Sequence, residues 1–269
     1  MKVKVNEIEI NYELSGEGTC LVLIHGFSDN LTMWYNQVPV FDKQFRVLTY
    51  DVRGHGKTET RGAEISMDLL ADDCHGLLEA LDIKKTCVLG YSMGGRIGLE
   101  FTLKYPEMTT GLVLANSGVV GPDIQLSDEQ RAEMMEHRKQ MTDLIESGKI
   151  EIIAEAMAER SLSPGFKDRK PDVFRRYKEV KMQNDPKQYL PVMQGTLKAM
   201  ANPPDLKKLE CPTLIIAGEH DGFMTMDVVK SMEKAISDVT AKMLQTGHAA
   251  AIEAPEAFNQ AVLDFMIRL

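Results

Sequence analysis

The apolar residues of this chain fall into short runs that helix-length segments separate. The first two runs alternate with polar residues, at Val3–Val5 and Ile8–Leu14. The later runs are continuous, which is typical of strands covered on both faces, as in a parallel sheet. We expect these further strands at Cys20–Ile24, Phe45–Tyr50, Thr86–Leu89, Gly111–Ala115, Thr213–Ala217 and, with a weaker pattern, Thr240–Leu244.

Helices are expected between most of these strands. Ser66–Leu81 has leucines at helical spacing, and Ser66 is placed to cap its first turn. Arg96–Lys104 follows a glycine-rich turn, and Pro255–Leu269 has its proline in the first turn. Strands that alternate with helices predict an α/β fold, with a mostly parallel, eight-stranded sheet and helices on both faces.

The stretch from Val119 to Asp205 breaks this alternation, because it has no convincing strand. It holds seven of the eleven prolines, and its helical pieces are amphipathic and highly charged. We therefore expect a core domain made of residues 1–118 and 206–269. Residues 119–205 are expected to form a helical cap (lid) inserted over the sheet.

Several apolar residues of the expected cap, mostly methionines, fall on helix faces. Methionine usually packs in cores, so the first interpretation is that they pack the cap on the sheet. The alternative is that some of them line an adaptable apolar acyl pocket, with Met193 and Met200 as tentative substrate-binding residues. The set comprises Met134, Met135, Met141, Met193, Leu197 and Met200.

The chain is acidic, with a net charge of −9. An acidic surface argues against nucleic acid or an anionic membrane as the partner, and no run approaches the ~18 apolar residues that a membrane span needs. The four cysteines are widely spaced and lack metal-ligand spacing, so reduced thiols are expected. We expect a cytoplasmic protein with a small-molecule partner; the oligomeric state stays open.

The sharpest chemical signal is Gly90–Gly95, which has the sequence Gly-Tyr-Ser-Met-Gly-Gly and lies between an expected strand and an expected helix. A serine in a strained turn needs small neighbours, and the turn lifts its hydroxyl above the carboxyl edge of the sheet. The N–H groups at the start of the next helix favour negative charge there. A serine without a catalytic role would not need small neighbours between a strand and a helix, so we predict that Ser92 is a nucleophile.

A serine hydroxyl is a poor nucleophile without a base, and His248 is the candidate base. It lies between the last expected strand and the last helix, hence on a loop at the carboxyl edge. The acid that orients the histidine should come between the two, in the order Ser…Asp…His. Asp221 fits this place, and Glu219 is its local rival. The predicted catalytic residues are therefore Ser92, Asp221 and His248.

Two backbone N–H groups are expected to stabilise the oxyanion of the reaction. One belongs to Met93, the residue after the nucleophile. The other belongs to Phe27, in the loop that follows the strand Cys20–Ile24. His25 of the same loop is expected to hold the loop in shape rather than to act in catalysis.

A second glycine-rich loop, Asp51–Thr58, follows another expected strand. We expect an ion pair between Asp51 and Arg53 to fix it. Its glycines do not have P-loop spacing, so phosphate binding is not indicated. No metal-ligand cluster is visible, and serine-based hydrolysis requires no cofactor, so none is expected.

Together these motifs resemble those of the α/β-hydrolase superfamily, in its serine hydrolase branch. The resemblance implies the α/β-hydrolase fold and a Ser-His-Asp triad, but it says little about the substrate, because this scaffold hosts many chemistries. The matching segments follow the family's order and are His25–Phe27, Asp51–Gly56, Gly90–Gly95, Gly218–Asp221 and Gly247–His248, with Glu253 and Pro255 after them.

Within the superfamily the chain looks most like small bacterial carboxylesterases and 3-oxoadipate enol-lactonases. The loop Asp51–Gly56 and the segment Ser163–Phe166 carry this likeness. The resemblance implies hydrolysis of a small carboxylic ester or lactone through an acyl-enzyme. Some members of the fold are non-enzymatic ligand-binding proteins, and this alternative is disfavoured because all three triad residues are present.

Arg96, four residues after the candidate nucleophile, supports a different alternative. The pyruvate-eliminating synthase of the menaquinone pathway has a similar Ser-x-Gly-Gly-Arg run, in which the arginine meets a substrate carboxylate. Arg53 departs from that family's pattern, so this alternative ranks second and the C–C bond hydrolases rank third. Since a buried arginine needs a partner, Arg96 either pairs with a protein carboxylate or binds a substrate carboxylate. The basic run from Arg160 to Lys181 either adds positive charge above the site or forms a solvated face.

Overall fold

The computed structural model describes residues 1–61, 64–119, 136, 139–200 and 202–269. Its strands are β1 Lys2–Val5, β2 Ile8–Ser15, β3 Cys20–Ile24, β4 Arg46–Tyr50, β5 Thr86–Tyr91, β6 Thr109–Ala115, β7 Thr213–Gly218 and β8 Val239–Leu244. In the described residues they form an eight-stranded sheet with the order β1-β2-β4-β3-β5-β6-β7-β8. The pairs β1–β2 and β2–β4 are antiparallel, and the other five pairs are parallel.

Helices connect most of these strands. They are Val38–Phe41, Met67–Ala80, Met93–Lys104, Ile150–Ser161, Phe166–Arg169, Pro171–Met182, Pro186–Met200, Met226–Ala235, Ala250–Glu253 and Pro255–Met266, and residues 139–146 are also helical. Shorter 3₁₀ turns lie at Leu31–Trp34, Pro106–Met108 and Leu206–Lys208. Within the described ranges, no helix combines the length and the apolar character that crossing a bilayer requires.

Different helices cover the two faces of the sheet. Successive strand residues point to opposite faces. Val22 of β3 therefore packs in a cluster with Leu77 of the helix Met67–Ala80. Its neighbour Leu23 packs in a separate cluster with Phe258 of the C-terminal helix. The predicted α/β fold, with a mostly parallel sheet covered on both faces, is confirmed.

The expected strands are all present, and their ends differ from the predicted bounds by at most two residues. Ser66 caps its helix as predicted, since its hydroxyl accepts the N–H of Leu69 at 3.1 Å. β5 continues to Tyr91 and the next helix begins at Met93. The turn between them is therefore Ser92 alone, and the rest of the motif Gly90–Gly95 belongs to the strand and the helix. Between β6 and β7, the described residues 139–200 are helices joined by short turns and contain no strand; they are called the helical segment below.

Candidate active site

The candidate site lies at the carboxyl edge of the parallel strands. Ser92 follows β5, Asn116 follows β6, Asp221 follows β7 and His248 follows β8. Neighbouring parallel strands end at the same edge of a sheet. Four polar residues that are far apart in the sequence therefore meet at one place.

Ser92 forms the sharp turn between β5 and the helix Met93–Lys104. Its φ of +51° and ψ of −115° are values that a residue other than glycine rarely adopts. Its N–H donates to the carbonyl of Ala115 at 2.9 Å, and the Ser117 hydroxyl donates to its carbonyl at 2.7 Å. A Cβ at Gly94 would overlap carbonyl oxygens at the end of β3. The strained turn therefore depends on a glycine two residues after the serine.

Ser92, His248 and Asp221 form a continuous chain of hydrogen bonds. Nδ1 of His248 lies 2.8 Å from Oδ2 of Asp221, and Nε2 lies 2.8 Å from Oγ of Ser92. Because an ionised carboxylate accepts hydrogen bonds and cannot donate them, the neutral ring carries its proton on Nδ1. Nε2 is then free to accept the proton of the serine hydroxyl, and the contact with Asp221 already orients the ring for it.

The Asp221 carboxylate is buried and receives several hydrogen bonds. Its Oδ1 accepts the N–H groups of Phe223 at 2.8 Å and Met224 at 3.1 Å, and Asn116 Nδ2 donates to its Oδ2 at 3.0 Å. Burial acts to raise the pKa of Asp221, but the hydrogen bonds from His248 and Asn116 and the attraction of His248 outweigh burial. The resulting pKa lies below the ordinary value, so the group is ionised at neutral pH.

Glu219, the rival acid, has a different environment. Its side chain is exposed and accepts a hydrogen bond from Gln245. The structure thus brings Asp221, and not Glu219, to the imidazole. The sequence interpretation missed Asn116, although a polar residue directly after the apolar run of β6 was a signal for a group at this edge.

The two predicted oxyanion donors come from adjacent strand ends. Ile24 of β3 lies opposite Gly90 of β5, so the loop that carries Phe27 passes beside the strained turn. Met93 is the first residue of its helix, and the N–H of a first helical residue has no acceptor within the helix. This placement suits two N–H groups directed at a carbonyl oxygen above Ser92.

Two buried histidines hold the loop that carries Phe27. The Val52 N–H donates to Nε2 of His25 at 2.9 Å, and the Ser28 N–H donates to Nε2 of His55 at 3.2 Å. Burial lowers the pKa of His25 to about 4 and that of His55 to about 3, so both rings are neutral acceptors near neutral pH. His25 thus holds loop structure, as its position in the sequence indicated.

The ion pair expected between Asp51 and Arg53 is not formed. Arg53 instead makes a buried bidentate pair with Asp73, at 2.7 Å from Nε and 2.8 Å from Nη2. Asp51 accepts the backbone N–H groups of Leu31 and Lys57, each at 2.8 Å. The expectation was wrong because two residues that are close in the sequence do not have to pair, and a long side chain can reach a distant residue. Here the arginine crosses to the helix that contains Asp73.

The loop after β3 is also bound to the helical segment. Asp29 of the loop forms a buried ion pair with Lys181, with 2.7 Å between Oδ1 and Nζ. The ring of Phe27 packs edge-to-face on Tyr189, with centroids 5.0 Å apart. Neither charged residue stood out in the sequence, because a single acid in a loop and one lysine in a basic run form no pattern.

The loop of the candidate base is bound to the same helical segment. Oε1 of Glu253 accepts the N–H groups of Gly247 at 2.7 Å and Ser163 at 3.0 Å. The Ala249 N–H donates to the carbonyl of Ser161 at 2.7 Å. These contacts hold the histidine loop against residues 161–163.

The three tentative substrate-binding residues have different surroundings. The Arg96 guanidinium contacts Glu100 at 2.7 Å and the carbonyl of Asn202 at 3.0 Å, so protein groups already occupy it. Met193 is 7% exposed and lies in a buried cluster of the helical segment. Met200 is 55% exposed.

The other apolar residues named with them divide in two groups. Met141 and Leu197 are partly buried against the cluster of Met193, as is Phe27 of the loop after β3. Met134 and Met135 lie outside the described residues. In the part of the chain that is described, no group of three or more His, Cys, Asp or Glu side chains could hold a metal ion.

Comparisons with known proteins find a matching family and several similar proteins. A family model described as alpha/beta hydrolase fold matches residues 19–255. The chain is 28% identical over 264 residues to 3-oxoadipate enol-lactonase 2 of Acinetobacter baylyi, covering 97% of this chain and 94% of that protein. It is 26% identical over 274 residues to the 2-hydroxy-6-oxo-6-(2'-aminophenyl)hexa-2,4-dienoic acid hydrolase of Metapseudomonas resinovorans, covering 99% and 90%. Among solved structures, a thermophilic esterase from Thermogutta terrifontis superposes with a TM-score of 0.84 at 27% identity, covering 100% of this chain and 98% of that one.

Proposed function

Because the chain belongs to the α/β-hydrolase family, we propose that it hydrolyses a small carboxylic ester or lactone through an acyl-enzyme on Ser92. The observation that carries the proposal is the 2.8 Å contact from Ser92 Oγ to Nε2 of His248, which continues from Nδ1 to Asp221 at 2.8 Å. A lone loop histidine is usually a solvated side chain. This one joins a strained serine to an ionised carboxylate.

The first half of the reaction forms the acyl-enzyme. Oγ of Ser92 attacks the substrate carbonyl while Nε2 of His248 takes the hydroxyl proton, and Asp221 stabilises the imidazolium. The N–H groups of Phe27 and Met93 stabilise the oxyanion of the tetrahedral intermediate. The imidazolium then protonates the leaving alkoxide as the ester C–O bond breaks.

The second half of the reaction releases the acid. A water molecule attacks the acyl carbonyl while Nε2 of His248 takes one of its protons. The second tetrahedral intermediate uses the same two N–H groups. When it collapses, the imidazolium returns a proton to Oγ of Ser92, and the carboxylic acid leaves. No cofactor takes part in either half.

The substrate class is supported by the relatives and by the site together. One relative is an enol-lactonase and one structural neighbour is an esterase. A lactone is a cyclic ester, so the same attack by Ser92 opens either substrate. The partner we propose is therefore a small molecule that carries one of these two bonds.

Two other reactions of the fold are the alternatives. C–C bond hydrolysis is favoured by the similarity to the dienoic acid hydrolase. The pyruvate-eliminating synthase has less support, because the synthase assignment needs Arg96 for the substrate and its guanidinium is bound to Glu100. We propose that Arg96 is structural.

The helical segment is proposed to act as the cap, within the boundaries 119–205. Its contacts with the loop after β3, through Lys181, and with the histidine loop, through Ser163, support that role. A cytoplasmic location is also proposed, supported by four free cysteines, of which Cys20, Cys74 and Cys87 are buried.

A substrate screen tests the proposal. The purified protein is assayed with p-nitrophenyl esters of increasing chain length, simple lactones, a vinylogous diketone of the meta-cleavage type and a 2-succinyl-cyclohexene carboxylate. We expect turnover of an ester or a lactone. Cleavage of the diketone or elimination from the cyclohexene, with every ester and lactone intact, would contradict the proposal and assign the corresponding alternative.

A further inference from the structure

We propose that two residues of the helical segment, Lys181 and Asn184, position the N–H of Phe27 for the oxyanion. The helical segment thereby acts in the reaction and does not only cover the site. The inference rests on the proposed function, because it assigns positioning residues to the same reaction. It starts from the peptide unit that carries this N–H.

The peptide between Gly26 and Phe27 is held at its carbonyl end. The Gly26 carbonyl accepts Nδ1–H of His25 at 2.8 Å and the N–H of Asp29 at 3.2 Å. The proton of His25 is on Nδ1, because Nε2 accepts the Val52 N–H at 2.9 Å. The carbonyl and the N–H of a planar trans peptide point in opposite directions. A contact that fixes Asp29 therefore helps to fix the direction of the Phe27 N–H.

Ser28 joins this peptide to Asp29 in a strained conformation. Its φ of +63° lies in the left-handed region, which costs free energy for a residue that has a side chain. Such a conformation persists only where the surroundings hold it. The core domain supplies one contact, since the Ser28 N–H donates to Nε2 of His55 at 3.2 Å. The carbonyl and the hydroxyl of Ser28 contact the helical segment instead.

Lys181 and Asn184 make these contacts from the end of the helix Pro171–Met182. Nζ of Lys181 lies 2.7 Å from Oδ1 of Asp29 and 3.3 Å from Oγ of Ser28. Nδ2 of Asn184 donates to the Ser28 carbonyl at 2.9 Å. Both side chains are buried. The two residues that follow Phe27 are therefore held in place by the helical segment.

The buried charge of Lys181 is better suited to positioning than to attachment. An apolar contact of the same volume often stabilises a protein as much as a buried ion pair does. The ion pair fixes the geometry more closely, because Nζ has to stay beside Oδ1 of Asp29 for the two charges to be compensated. Close positioning matters for an oxyanion donor, since a displacement of about 1 Å can lower a rate about 10²-fold.

The Phe27 N–H acts at one point of the reaction. Oγ of Ser92 bonds to the substrate carbonyl carbon, its proton passes to Nε2 of His248, and the π electrons of the carbonyl move to its oxygen. Only then does the N–H meet a full negative charge. A misplaced N–H should therefore lower kcat and leave KM nearly unchanged.

Lys181→Met and Asn184→Ala test the assignment with the ester or lactone that the wild-type protein cleaves fastest. We expect each substitution to lower kcat about tenfold or more and to change KM less than about threefold. Urea unfolding curves identify a temperature at which both variants are folded, and kcat is measured there. Asn184→Ala removes no charge, so it tests the assignment even if Lys181→Met does not fold.

Gln188→Ala is the matched control. Asn184 also binds a second loop of the core domain, because its Oδ1 accepts the Gly56 N–H at 2.7 Å. Gln188 joins the helical segment to that part of the chain alone, through the Thr60 N–H at 3.0 Å. The control should change kcat less than about twofold. If it lowers kcat as much as Asn184→Ala does, any loosening of the helical segment slows the reaction and the assignment is overturned.

A pair of ketones separates this inference from the proposed hydrolysis. Hexyl trifluoromethyl ketone adds Oγ of Ser92 to its carbonyl and forms an oxyanion, whereas hexyl methyl ketone is too weak an electrophile to do so. The ratio of their dissociation constants, measured by calorimetry, reports on the oxyanion donors without any turnover. We expect the wild-type protein to prefer the trifluoromethyl ketone, and Lys181→Met and Asn184→Ala to reduce that preference about tenfold.

The ketone ratio and the hydrolysis assay fail independently. A reduced preference supports the inference even when the wild-type protein hydrolyses no ester or lactone. An unchanged preference overturns it even when kcat falls, because Lys181 and Asn184 then act at another step. If the wild-type protein does not prefer the trifluoromethyl ketone, the role of the Phe27 N–H is wrong and this inference is overturned with it.

Discussion

The side-chain amide of Asn116 donates to the same oxygen of Asp221 that accepts from His248, at 3.0 Å and 2.8 Å respectively. Both contacts favour the ionised carboxylate, and together they fix the position of this oxygen next to the imidazole. Asn116 follows β6 while Asp221 follows β7, so the alignment of the acid depends on two strand ends.

Asp221→Asn is expected to lower kcat by about 10⁴-fold. An amide that donates toward Nδ1 favours the wrong tautomer of His248, whose Nε2 then carries the proton and cannot take one from Ser92. The matched control is Glu219→Gln, two residues earlier and exposed, which should change kcat little. If the control is the damaging substitution, the acid has been assigned to the wrong residue.

Lys181→Met is expected to destabilise the protein by about 3–5 kcal/mol, because it leaves a buried carboxylate uncompensated. Lys181 and Asp29 are 2% and 1% exposed. Burial raises the pKa of Asp29 and lowers that of Lys181, and their mutual attraction opposes both shifts. Urea unfolding measures the change.

The surface pair of Lys198 and Glu64 gives the control, since both are more than two-thirds exposed. Lys198→Met should barely change the free energy of unfolding. If the two substitutions lower it equally, burial of the Lys181–Asp29 pair does not matter and the prediction is contradicted.

Stability should fall as the pH is lowered from about 6 to about 4, partly through His25 and His55. The unfolded chain protonates these histidines near an ordinary pKa of about 6.5. The folded protein does not do so until about pH 4 for His25 and about pH 3 for His55, because burial lowers both pKa values. The unfolded state therefore binds more protons in this range, and each histidine contributes a slope of up to about 1.4 kcal/mol per pH unit.

His55→Gln tests this dependence, because glutamine can accept from Ser28 but does not titrate. Unfolding free energies measured by urea at pH 7, 6, 5 and 4 should show a slope reduced by about 1.4 kcal/mol per pH unit at most. An unchanged slope would mean that His55 is protonated in the folded protein.

Met193→Ala should cost about 2–4 kcal/mol of stability, because it opens a cavity in the cluster with Ile153 and Tyr189. The ranking of ester chain lengths is expected to stay the same, since Met193 is only 7% exposed. Met200→Ala is the control, and its 55% exposure predicts a change within about 0.5 kcal/mol. A changed ranking with little loss of stability would place Met193 in the acyl pocket instead.

The parts of the fold that were predicted from the sequence are those with a local signal. β3 is a continuous apolar run, and the turn at Ser92 needs glycine at position 94 for steric reasons, so both can be recognised without knowing the rest of the chain. Asp221 and His248 lie beside Ser92 because each follows a strand, and parallel strands end together.

The parts that were missed depend on contacts between distant residues. Arg53 reaches Asp73 rather than the adjacent Asp51, and Asp29 reaches Lys181, 152 residues away. Such pairs depend on how helices pack over the strand ends, which hydrophobic spacing does not specify. For the same reason Arg96 suggested a substrate contact in the sequence, whereas the helix directs it to Glu100, one turn further along.

The central claim is that Ser92 attacks the substrate, and kcat of Ser92→Ala measures it most directly. The assay uses the ester or lactone that the wild-type protein cleaves fastest, with a urea unfolding curve for both proteins to verify that the fold is intact. The account predicts that kcat falls by about 10⁴-fold or more while the variant remains folded. A folded variant that retains more than about a tenth of the wild-type kcat would contradict it.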